Sequence, residues 1–160
     1  MENHRQTNQD REILSKYSSL IWRRPPNNLF LDQNEVHVWR AFLNVETTSI
    51  HLLKAILSED EKDKSNRYRF SKDRDQFIIA RGLLRNILSR YIDLESIELN
   101  FSYGPNGKPA LAQQPDGRSL NFNLSHSHGI ALYAGARDRE LGIDLEKIMP
   151  DFKGEHIPEY

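Results

Sequence analysis

The chain contains no cysteine. This excludes disulfides, thiolate zinc sites and a cysteine nucleophile, and it fits a reducing compartment such as the cytoplasm. Charge of one sign is not in excess: 22 basic and 23 acidic residues leave a net charge of −1. A general polyanion binder carries a basic excess, so nucleic acid is not an expected partner and any phosphate site must be local. No apolar run approaches the roughly 20 residues that span a bilayer. The opening MENHRQTNQD has no apolar stretch behind it to act as a secretory signal, so no membrane association is expected. What is present is a 160-residue chain with 38% apolar residues, one domain in length and sufficient to close one core.

Residues 1–33 read as a polar N-terminal extension. It has one short helical possibility from Arg11 to Trp22, then a double proline, Pro25–Pro26, that blocks a helix. Glu35 to Leu43 alternates in part, with apolar or amphipathic residues on both faces, which predicts a strand inside the sheet rather than at a wet edge. Helical signals run from Thr48 to Tyr91. Ile50, Leu53 and Leu57 form a stripe, and Ser58 with Glu61 makes a capping box for a second helix, SEDEKDKSNRYRF. From Asp73 to Tyr91, residues Phe77, Ala80, Leu84, Ile87 and Tyr91 recur at spacings of three and four, one buried face. Arg74, Arg81 and Arg85 gather on another. After Asp93 the period becomes two. Ser96 to Ser102, Leu120 to Leu124, Gly129 to Ala136 and Leu141 to Ile148 read as strands, with YGPNGKP and Asp116–Gly117 as turns. The pattern predicts an α+β fold with one antiparallel or mixed sheet and helices on one face. The domain is expected to occupy residues 34–150, with residues 151–160 as an irregular tail.

Three short stretches carry candidate chemistry. In GIDLEK (142–147), a strand would put Asp144 and Glu146 on one face and turn Ile143 and Leu145 inward. Two carboxylates so placed repel, and a hard cation relieves them: Mg²⁺ takes one or two protein carboxylates and completes its shell with water and substrate phosphates. On spacing alone, a solvated strand face with acids paired to nearby basic groups is the alternative. NLSHSHG (123–129) alternates hydroxyl and imidazole groups. If extended, His126 and His128 share a face and could ligate a metal or donate to a phosphate, while Ser125 and Ser127 could equally bond local backbone at a turn. A serine hydrolase is excluded, because neither serine lies in a strand–elbow–helix G-x-S-x-G. NGKPAL (106–111) displays Lys108 at a tight turn with Pro109 fixing the backbone, either a phosphate contact or a solubilising lysine. The arginine face is likewise either an anion wall or a solvated helix surface.

In order and together, GKPAL, FNLSHS (122–127) and GIDLEKI (142–148), preceded by FSKDRDQFIIARGLLRNIL, resemble the 4′-phosphopantetheinyl transferase superfamily. The likeness is to its larger, surfactin-synthetase-activating type, cyanobacterial-looking members in particular, and runs from about Asn34 to Pro150. It implies one half of a pseudo-two-fold fold and holo-acyl-carrier-protein synthase chemistry. In that chemistry the phosphopantetheine arm of coenzyme A moves to a serine of an apo acyl or peptidyl carrier protein, and 3′,5′-ADP leaves. It implies that Asp144 and Glu146 are catalytic and hold Mg²⁺ against the coenzyme A pyrophosphate. Lys108 and Pro109 would line the nucleotide site, Ser125 and His126 would lie near the 3′-phosphate, and Lys64 and Arg81 would add phosphate contacts. Members of this type continue into a second half whose W-x-x-K-E motif supplies a third carboxylate and a lysine, and nothing in DFKGEHIPEY provides it. The resemblance therefore implies a chain truncated before that motif, inactive alone, and self-associating through the face the second half would cover. The other readings are a non-catalytic half-domain that binds coenzyme A or carrier protein, and a zinc enzyme built from His126, His128 and Asp144.

Overall fold

A long helix and a three-stranded antiparallel sheet face each other across the core. The computed structural model describes residues 22–105, 107–112, 114, 117 and 119–148. In chain order the elements are β1 (His37–Phe42), α1 (Thr47–Ala55), α2 (Glu59–Asn66), α3 (Ser71–Leu88), β2 (Phe101–Tyr103), β3 (Pro109–Leu111), β4 (Leu120–Ser127) and β5 (Ile130–Arg137). The larger sheet is ordered β1-β5-β4 with both pairings antiparallel, and β2 pairs antiparallel with β3 as a separate ribbon. The α+β class with antiparallel strands is as expected, but the single sheet is two. β1 is also an edge among the described strands. The central place goes to β5, where Ala131 and Tyr133 to Ala136 are buried, so both of its faces are covered. β1 buries only one side: His37, Trp39 and Ala41 are half-buried while Val38, Arg40 and Phe42 are exposed.

The expected helix face packs the core only in part: Ala80, Leu84 and Tyr91 are buried, but Phe77 and Ile87 are half-buried, and Ile78, Ile79 and Leu88 of α3 are buried with them. α1 comes so close at Gly82 that a Cβ there would stand 2.7 Å from Leu53 Cβ. Tyr133 ties sheet to helix by donating its hydroxyl to the Ala80 carbonyl at 3.0 Å. Burial raises the pKa of that phenol, and the Arg81 charge opposes the rise. Leu29 and Leu31, ahead of Asn34, also pack on the core. α2 is almost wholly polar, and its first turn is held by the capping box, in which Glu61 Oε2 accepts from the Ser58 N–H at 3.1 Å.

Two expected strands differ. Of Ser96 to Ser102 only the end enters a ladder, because Arg85 takes the carbonyls of Ser96 and Leu99 as hydrogen-bond acceptors and draws that stretch away from strand pairing. Leu141 to Ile148 forms no ladder among the described residues, although burial alternates from Leu141 to Glu146 before Lys147 and Ile148 stand exposed. β4 and β5 join through His128 and Gly129, both at positive φ (49° and 79°), the two-residue hairpin turn whose twist matches that of the strands. The helical possibility at residues 11–21, the turn positions Asn106 and Asp116 and the tail 151–160 lie outside the described residues. No helix among the described residues is long and apolar enough to cross a membrane.

Candidate functional site

The arginine face of α3 divides into two roles. Arg85 is fully buried and satisfied: its Nε donates to Glu61 Oε2 at 2.7 Å, and Nη1 donates to the carbonyls of Ser96 (3.0 Å) and Leu99 (2.9 Å). Its work is structural. Arg81, one turn earlier, is also buried, but its Nε only faces Glu61 Oε1 at 3.0 Å. The pair is misaligned, and neither atom has a hydrogen-bond partner among the described residues. Arg81 Nη2 donates to the Tyr103 hydroxyl, and the guanidinium lies 5.1 and 5.5 Å from the ring centroids of Phe101 and Tyr103. One carboxylate thus serves two guanidiniums, leaving a net buried positive charge. Such a charge is costly unless an anion completes it. Arg74 takes no part; it pairs with its neighbour Asp75 at 3.3 Å.

Arg81 opens onto a cavity of about 430 Å³, within the range of small-molecule sites. Phe77 and Arg81 enter from α3, Tyr103 and Pro109 from the ribbon, and His126 from β4. Lys64 and Tyr68 close the α2 side, with the Lys64 ammonium 5.5 Å from the Phe77 ring, and Asp73 is an acidic member of the lining. Flat apolar walls with three cationic or imidazole groups at the margin suit a ligand that joins an aromatic ring to phosphates.

The acidic run lies elsewhere. Asp144 and Glu146 are exposed and Ile143 and Leu145 half-buried, so the expected division of faces is present without a ladder. Side chains hold the run beside β4 instead. Ser125 Oγ donates to Asp144 Oδ1 at 2.9 Å and accepts from the Leu145 N–H at 3.1 Å. Asn123 Nδ2 donates to the Leu141 carbonyl at 3.4 Å, and Lys108 Nζ reaches Glu140 Oε2 (3.2 Å) and the same carbonyl (3.4 Å). Two exposed carboxylates fit Mg²⁺, which draws its other ligands from water and phosphate. The described residues hold no group of three or more His, Asp or Glu placed for a metal, as a zinc site requires. The zinc arrangement is overturned in detail as well: His128 is a turn residue with Nδ1 2.8 Å from Ser127 Oγ, and His126 faces the cavity.

Of the residues that the resemblance assigned, the cavity brings together Lys64, Arg81, Pro109 and His126. Lys108 and Ser125 face the acidic run instead, and neither Asp144 nor Glu146 lines the cavity. Sequence reasoning missed Tyr103 and Asn123, and it found Glu61 only as a cap. The fourth-residue spacing of Arg81 and Arg85 was the one available signal that a carboxylate must face them.

Residues 44–138, more than half of the chain, match the family model for the N-terminal part of 4′-phosphopantetheinyl transferase. The 4′-phosphopantetheinyl transferase HetI of Nostoc sp. is 41% identical over 129 residues, 81% of this chain and 54% of its own. A putative 4′-phosphopantetheinyl transferase of Synechocystis sp. is 36% identical over 97 residues, 61% of this chain and 39% of its own. The 4′-phosphopantetheinyl transferase Sfp of Bacillus subtilis is 29% identical over 96 residues, 60% of this chain and 41% of its own. This chain spans about half or less of the length of these relatives. It belongs to the 4′-phosphopantetheinyl transferase family and matches that family's N-terminal portion.

Proposed function

We propose that this chain is the coenzyme A-holding portion of an enzyme that transfers phosphopantetheine to a serine of an acyl or peptidyl carrier protein in the cytoplasm. The observation that carries the reading is Arg81, a buried and incompletely paired cation that lines a cavity with Lys64 and His126. Tyr68, Phe77 and Tyr103 offer that cavity aromatic surface for a purine, and the cationic margin takes the phosphates. In the transfer, the serine oxygen gives up its proton and bonds to the pantetheine-side phosphorus, the bond from that phosphorus to the bridging oxygen breaks, and 3′,5′-ADP leaves with that oxygen while the proton is released. Lys64, Arg81 and His126 hold the nucleotide still for that displacement, which depends on positioning and charge neutralisation. Asp144 and Glu146 would hold Mg²⁺, which when bound offsets charge on the phosphoryl oxygens.

The test is calorimetric titration of the purified chain with coenzyme A in Mg²⁺, with Arg81→Met as the variant. Losing a charge-assisted contact should weaken coenzyme A about ten- to a hundredfold. A parent chain that binds no coenzyme A, or a variant that binds it equally well, refutes the reading. Carrier loading, read by mass, belongs to a longer protein in which the family's second half follows this chain.

A further inference from the structure

The resemblance assigns Ser125 to the nucleotide, but the structure turns it the other way. Consecutive residues leave a strand on opposite faces. His126 of β4 lines the cavity, and its neighbour Ser125 meets the acidic run. We propose that Ser125 is a positioning residue for the carboxylate pair Asp144 and Glu146, setting them for a divalent cation rather than touching the nucleotide. This rests on the reading that those two acids hold the cation.

The hydrogen-bond inventory supports it. A serine hydroxyl has one proton to give and two lone pairs to accept with. Ser125 spends the proton on Asp144 Oδ1 at 2.9 Å and accepts from the Leu145 N–H at 3.1 Å. Nothing is left to donate to a phosphate while the first bond stands. The two bonds also act at different levels of the run. One fixes the Asp144 side chain, and the other fixes the backbone between Asp144 and Glu146, so a single oxygen sets the spacing of both acids. Elsewhere this burden falls on a strand ladder, but Leu141 to Ile148 has none among the described residues. The other ties are longer and end earlier: Asn123 to the Leu141 carbonyl at 3.4 Å, and Lys108 to Glu140 and Leu141 at 3.2 and 3.4 Å. Beyond Leu141, the hydrogen bonds that hold the run among the described residues are those of Ser125, beside the half-buried side chains of Ile143 and Leu145.

The experiment uses the chain with Ser125→Ala, Ser125→Thr and Asp144→Asn. Mn²⁺, as a paramagnetic stand-in for Mg²⁺, is titrated by electron paramagnetic resonance with coenzyme A present. Hydrogen exchange at the Leu145 amide and metal-free coenzyme A affinity are measured alongside. Loss of a group that orients a metal ligand should weaken Mn²⁺ about tenfold or more in Ser125→Ala. In that variant the Leu145 amide should exchange faster and metal-free coenzyme A should bind as in the parent. Ser125→Thr keeps the hydroxyl on a β-branched frame that a strand tolerates, and it should restore both metal affinity and protection. If Asp144→Asn loses Mn²⁺ but Ser125→Ala does not, the cation reading stands and the positioning role is overturned. Weakened metal-free coenzyme A with unchanged Leu145 protection in Ser125→Ala would return the serine to the nucleotide. A parent that takes up no Mn²⁺, or an Asp144→Asn variant that takes it up normally, overturns the cation reading and this role with it.

Discussion

Replacing Glu61 by glutamine alters one atom of a side chain that is 1% exposed. The carboxylate meets Arg85 Nε at 2.7 Å and Arg81 Nε at 3.0 Å, and it accepts from the Ser58 N–H at 3.1 Å. An amide has one accepting oxygen, so one of these donors must face an N–H₂ group instead. The cluster passes from one net positive charge to two with no solvent around Arg85. Removing one partner of a buried ion pair typically costs about 3–5 kcal/mol. Because Arg81 borders the cavity, water relieves part of its share, and the loss should fall near the low end, about 3 kcal/mol. Against a domain stability of about 5–15 kcal/mol, that is a large fraction of the total. Urea unfolding followed by tryptophan fluorescence measures it, and comparison is valid while the slope is unchanged. Adding Arg85→Met removes the excess charge, so the double variant should lose less than the two single losses together. A Glu61→Gln variant that loses under about 0.5 kcal/mol, as an exposed substitution does, would refute the shared counter-ion.

Gly82→Ala gains about 1 kcal/mol of helix propensity but places a Cβ 2.7 Å from Leu53 Cβ and 3.1 Å from its carbonyl oxygen. Overpacking of this kind costs about 1–3 kcal/mol, so the same unfolding assay should show a net loss, and a net gain would mean that α1 moves aside freely. Tyr133→Phe should cost about 1 kcal/mol at neutral pH through the lost bond to Ala80. Burial raises the Tyr133 pKa, so the folded chain keeps a proton that the unfolded chain releases above about pH 10. That contribution is complete below pH 10 and lost above it, so Tyr133→Phe should lose stability less steeply there. Tyr91 carries the same sign and remains, which makes the difference partial, and parallel curves above pH 10 would refute the assignment.

The helices were legible because their signals are local: the Ser58–Glu61 box and the three-and-four spacing along α3 need only neighbouring residues. The departures come from distant partners. Arg85 captures the carbonyls of Ser96 and Leu99, eleven and fourteen residues on, and alternation in SIELNFS carries no trace of it. The edge place of β1 depends on β5 being apolar on both faces, a comparison between strands that no window on one of them makes. In the candidate site, Lys64, Arg81, Pro109 and His126, far apart in the sequence, line one cavity. The directions of Lys108 and Ser125 were not legible, because a motif names residues, while the turn ahead of β3 aims the lysine and the register of β4 aims the serine.

That register is set by two residues that touch neither the cavity nor the acids. Ser127 pairs with Ile130, and the turn between them is His128 and Gly129. A slip of β4 by one residue would carry every side chain to the opposite face. LSHS would then present its imidazole to the acidic run and its hydroxyl to the cavity, with no letter of the motif changed. Gly129 has no atom within 4 Å of where a Cβ would stand, so an alanine there would fit the space but not the φ of 79°. Lengthening or straining this turn is therefore a way to scramble the chemistry of the site from outside it.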